Sequence, residues 1–203
     1  MLANALARRP GPAGRPLAVA AALALALPLG PALGQEDDIM SFVPSGGRTL
    51  LAEVIEAGAA EGAIDSMLAQ DLDAEGWREW IEANRDAVAG LDGLDEYETR
   101  TLANYLDTYA PLDPEVLSDP ADALPQDGRD MAMRNCQSCH IITVTITQDR
   151  THDAWLGTLG NPSHVEIELS EEERDLLADY LVVNAGIPIE QVPPALRAGG
   201  ASY

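Results

Sequence analysis

Cys136 and Cys139 are the only cysteines in this chain, and His140 directly follows the second. Three chemistries use such a Cys-x-x-Cys-His run. Two thiols at this spacing can add to the two vinyl groups of a haem while the next imidazole ligates the iron from one face. A thioredoxin-like dithiol would open a helix after a strand, whereas here a helix is expected to precede the pair. A zinc site would need four tetrahedral ligands, which Cys136, Cys139 and two histidines could supply. A disulfide would close so short a loop that it would constrain the unfolded chain very little. The pentad therefore favours one covalent haem c on Cys136 and Cys139 with His140 on the iron, with zinc and dithiol chemistry as the alternatives.

The elements around this motif divide the chain into segments. Residues 1–34 carry Arg8, Arg9 and Arg15, no acid, the apolar run LAVAAALALALPLG and a small-residue ending, Ala32-Leu33-Gly34. This pattern predicts a signal peptide cleaved before Gln35, hence a periplasmic protein. A membrane anchor is the other reading, but the run is short for a bilayer and Pro28 and Pro31 interrupt it, so no stable span is expected after processing. Losing three arginines and no acid takes the formal net charge from −22 to −25, and the chain has no lysine. Such a surface repels nucleic acid and anionic lipid and can steer encounters with a basic protein face. Solubility or adaptation to salt would explain the same composition.

Two stretches repeat at an offset of 75 residues. LDEYETRTLANYL (Leu94 to Leu106) and LSEEERDLLADYL (Leu169 to Leu181) share seven of thirteen positions, Tyr105 and Tyr180 among them, and the same offset pairs Trp80 with Trp155. An internal duplication follows. Both stretches read as capped helices, Asp95 with Glu98 and Ser170 with Glu173 forming capping boxes. Further helices are expected near 48–59, 62–70, 74–88, 128–138 and 151–159, whereas IITVTIT (141–147) favours extended chain through its β-branched residues. Four prolines between 110 and 128 suggest a linker.

The region from Gly128 to Ile187 resembles a class I cytochrome c domain: GRDMAMRNCQSCH, then a tryptophan helix, then a last helix ending LLADYL. Gly128 matches the family's glycine where the first and last helices cross. The usual Gly-Pro-x-Leu segment is replaced by IITVTITQDRTHDAW, whose RTHDAW is similar to the Arg-Thr-x-x-x-Trp signature of haem domains attached to periplasmic dehydrogenases. The resemblance implies an all-α fold of two tandem cytochrome c-like domains. The first would be a degenerate copy without haem, since no cysteine or histidine occurs before residue 136. The expected boundaries are 1–34 signal peptide, 35–110 haem-free domain, 111–127 linker, 128–187 haem domain and 188–203 tail.

The family's distal methionine is missing, because no methionine follows Met133. His164 lies in the loop where the family delivers that ligand and is the expected sixth ligand; His152, an open position, Met40 and Met67 are the alternatives. Arg150 is expected to neutralise a haem propionate, with Trp155 and Tyr180 packing near it. The implied function is single-electron transfer as subunit or partner of a periplasmic dehydrogenase with a basic docking face. A haem enzyme, or a sensor or binding module with a displaceable distal position, is the alternative.

Overall fold

A computed structural model describes residues 40–58, 62–137, 139–164 and 167–197. The expected signal peptide lies outside the described residues, as do the last six positions of the expected tail. The described residues all belong to one compact unit. Among the described residues every regular element is helical, and no helix is long and apolar enough to cross a membrane.

In chain order the helices are α1 (Gly47–Ala57), α2 (Ala63–Leu68), α3 (Ala74–Asn84), α4 (Glu96–Tyr109), α5 (Pro120–Ala123), α6 (Gly128–Asn135), α7 (Thr143–Ile146), α8 (His152–Leu159), α9 (Glu171–Asn184) and α10 (Pro194–Arg197). Helix starts follow side-chain chemistry. Asp95 accepts from the Glu98 amide while Glu98 reaches back to the Asp95 amide, and Ser170 with Glu173 repeats the device on α9. Each box satisfies two amides that the helix geometry leaves without partners. A third box, Asp127 with Asp130, opens α6.

The packing falls into two parallel sets. Helices α1 and α3 pack on α4, helices α6 and α8 pack on α9, and α4 and α9 touch each other. Leu50, Leu51, Met67, Leu68, Trp77, Ile81 and Leu102 belong to one buried cluster. Met131, Ala132, Ile142, Ile146, Trp155 and Leu177 belong to the other. At the crossing of α1 with α4, a Cβ on Gly47 would lie 2.2 Å from Tyr105 Cβ; at the crossing of α6 with α9, one on Gly128 would lie 2.4 Å from Tyr180 Cβ. Only a residue without a side chain lets the helices approach this closely.

The two sets are also interleaved. Tyr105 donates its hydroxyl to Pro125 O at 2.9 Å, in the lead-in to α6, and Tyr180 donates to Pro44 O at 2.7 Å, in the lead-in to α1. The Arg48 amide donates to Asp127 Oδ2 and its guanidinium to Asp130 Oδ1, both at 2.8 Å, and Arg129 Nε donates to Pro44 O at 3.1 Å. Val43 is buried in the second cluster, with Met40 and Phe42 against it. The start of the expected first domain therefore packs on the second set of helices.

Four expectations need correction. Trp155 stands four residues after its helix cap Thr151, and the residue standing four after the cap Asp73 is Trp77, not Trp80. Trp77 and Trp155 are both buried, while Trp80 lies half-exposed with its ring edge-on to Trp77. IITVTIT is not extended: Thr143–Ile146 form a helical turn that buries Ile142 and Ile146, and Thr147 Oγ1 donates to Thr143 O. Burial here overrides β-propensity. Residues 111–127 are more than a linker, since they hold a 3-10 turn and α5, with Val116 and Leu124 buried in the first cluster. The tail is packed as far as Arg197: Val192 is buried, and Leu196 O accepts from Thr143 Oγ1 at 3.1 Å.

Candidate functional site

The cysteine motif begins where α6 ends. The Cys136 amide closes the last turn by donating to Ala132 O, and its side chain packs half-buried against the second cluster. Burial pushes the Cys136 thiol above its ordinary value of 9.0, opposed by a hydrogen bond with the Thr145 side chain. Cys139 is exposed in the turn that follows. No disulfide joins the two. His140 is half-buried, with Nδ1 3.3 Å from Ile141 O. With the proton on Nδ1 that contact is a hydrogen bond, and the Nε2 lone pair is left for a metal.

Helix α8 supplies the next group. Thr151 caps it through the Ala154 amide, which places Trp155 one turn in and facing the second cluster. Trp155 is 3% exposed, and its Nε1 has no acceptor. A buried N–H without a protein partner is costly. The Arg150 guanidinium lies 5.4 Å from the Trp155 ring centre and donates to Thr158 Oγ1 and Gln148 Oε1. The guanidinium keeps its positive charge at the exposed side of this ring, where an anionic group such as a carboxylate could meet it. Trp77 Nε1 is orphaned in the same way in the half that has no thiol, so the cysteines, not the indole, distinguish the halves. With one half-buried thiol, one exposed thiol and an imidazole offering Nε2, this turn carries the donor types that a covalent haem would need.

His164 sits half-buried on the loop between α8 and α9, its amide donating to Asn161 O at 2.7 Å and its Nδ1 3.3 Å from Ser163 Oγ. Arg174 fixes this loop from α9 by donating to Leu159 O at 2.6 Å and Ile167 O at 2.8 Å. Its part is invisible in the sequence, where it reads as one charge in an acidic helix. The first half solves the same problem from another helix: Arg85 donates to Leu91 O and Leu94 O ahead of α4.

The alternatives to His164 separate. The His152 imidazole is engaged elsewhere, with Nε2 3.2 Å from Asp175 Oδ1 and 3.3 Å from Asp179 Oδ1. Met67 is fully buried in the first cluster. Met40 and Met133 are half-buried against the second cluster, and Met131 is buried within it. The geometry thus brings Arg150 to Trp155 and Cys136 to Thr145, while His140 and His164 keep separate hydrogen-bonding surroundings. No family model, curated protein or solved structure matches this chain.

Proposed function

We propose that the chain is an exported, mono-haem c-type cytochrome that passes single electrons in the periplasm, as the electron-accepting subunit or partner of a dehydrogenase. The observation that carries this reading is the Cys136, Cys139, His140 turn at the end of α6, with one thiol sheltered against a core and the other open. Haem c bound there would supply a single iron(III)/iron(II) couple. Cys136 and Cys139 would hold it covalently, and His140 would ligate the iron through Nε2. His164, on the loop that Arg174 secures, would be the second protein ligand. Arg150 would offer its charge to a propionate, with the Trp155 N–H as a further donor. The acidic surface steers a basic partner face to the protein.

The fold is, in this reading, two tandem cytochrome c-like halves of which the first carries no haem. Its support is the repeated glycine–tyrosine crossing, the buried tryptophans at matched cap positions and the reciprocal tyrosine-to-proline bonds. In the first half Met67, Leu68, Trp77 and Leu91 are fully buried together, so its core is filled by side chains alone.

The test is the absorption spectrum of the protein matured with c-type haem in a bacterial periplasm. A carrier is low-spin in both oxidation states and indifferent to carbon monoxide. A ferrous form that binds carbon monoxide would replace electron transfer with the enzymatic or sensing alternative.

A further inference from the structure

His152, the first residue of α8, faces two carboxylates one turn apart on α9, Asp175 and Asp179. One nitrogen and two oxygens, one from each side chain, all lie within 4.8 Å of one another. From this arrangement we propose that His152, Asp175 and Asp179 form a binding site for a borderline divalent cation of the zinc type, independent of the haem motif.

The first argument is geometric. Ligands at zinc's usual bond lengths of about 2.0–2.2 Å in a tetrahedron stand about 3.3–3.6 Å from each other. His152 Nε2 stands 3.2 Å and 3.3 Å from the two oxygens, close to that spacing, and the two oxygens lie within 4.8 Å of each other.

The second argument is charge. Asp107 is a third carboxylate near Asp179. A single imidazolium would leave the two carboxylates at the cluster with a net negative charge, and Asp107 adds to it; a divalent ion held by a neutral imidazole balances the two ligand carboxylates. One imidazole with carboxylates suits zinc, copper or nickel better than magnesium or calcium, which prefer all-oxygen sets. The side chains of His152, Asp175 and Asp179 are 34%, 60% and 52% exposed, so water can fill the remaining position and the ion can exchange. Bound there, the ion would tie α8, which carries Trp155, to α9.

The test is zinc titration of the haem-loaded full chain by calorimetry, with magnesium as the comparison and thermal melting with and without chelator as a second readout. The site requires one zinc per chain, a melting temperature raised by zinc and restored by chelator, and at least tenfold weaker binding in His152→Gln and in Asp175→Asn. These variants touch none of the residues assigned to haem. Zinc binding no tighter than magnesium, or unchanged in both variants, would show ion-cloud binding by the acidic surface and overturn the site. No zinc binding at all, with His152→Gln still lowering the melting temperature, would leave a His–Asp ion pair and overturn it equally.

Discussion

Tyr180 donates its hydroxyl to the carbonyl of Pro44, 136 positions earlier in the chain. That bond, with its counterpart from Tyr105 to Pro125, ties each half's last helix to the segment that leads into the other half's first helix. The halves therefore behave as one body, in keeping with the single compact unit to which the described residues belong. The two bonds differ in one respect: Pro44 O also accepts from Arg129 Nε. Tyr180→Phe leaves that carbonyl partnered and should cost about 0.5 kcal/mol, whereas Tyr105→Phe should cost about 1–1.5 kcal/mol. Urea unfolding of both variants checks the order, and a single cooperative transition is expected in each.

Helix crossings give the next expectation. A Cβ on Gly128 would stand 2.4 Å from Tyr180 Cβ and 2.6 Å from Leu176 O, and neither can swing aside. Gly128→Ala should lower stability by about 1–3 kcal/mol. Gly157 lies inside α8 with open space around it, so Gly157→Ala should instead add about 0.5–1 kcal/mol through helix propensity. Thermal melts of the pair would show opposite signs.

The axial ligand is testable by potential and colour. A methionine ligand raises the potential of a c-type haem relative to a second imidazole. His164→Met should move the midpoint upward and introduce a sulfur-to-iron band near the red edge of the visible spectrum. Met40→Leu, although Met40 touches the second cluster, should change neither. A spectrum that responds to Met40→Leu and ignores His164→Met would move the sixth ligand to the segment ahead of α1.

Thiol reactivity follows burial. In protein made without haem, Cys139 is exposed, while Cys136 is half-buried with a thiol raised above 9.0 by that burial. The thiolate is the reactive form, and a raised value leaves less of it at neutral pH. Alkylation should mark Cys139 first, and the Cys136 rate should keep climbing as pH passes above 9.0. Mass mapping of the two labelled peptides over a pH series reads both effects.

What could be read along the chain was local. The capping boxes at Asp95 and Ser170 join residues three apart, and the structure forms both. What escaped depends on packing between distant segments. Trp77 and Trp80 sit three apart on one helix, and only the packing of α3 against α4 decides which is buried. The β-branched run 141–147 turns helical because Ile142 and Ile146 enter the same core. The hold of Arg174 on the His164 loop, and the crossing of residues 40–44 onto the other half, join parts that no periodicity connects.

The central claim is a covalent haem on Cys136 and Cys139, one per chain. Intact mass of the secreted protein under denaturing conditions tests it most directly, beside the Cys136→Ser, Cys139→Ser double variant. The account predicts a chain beginning at Gln35 and heavier by one haem in the native sequence, with the bare chain in the variant. A folded native protein that carries no added haem, with both thiols open to alkylation after unfolding, would contradict it.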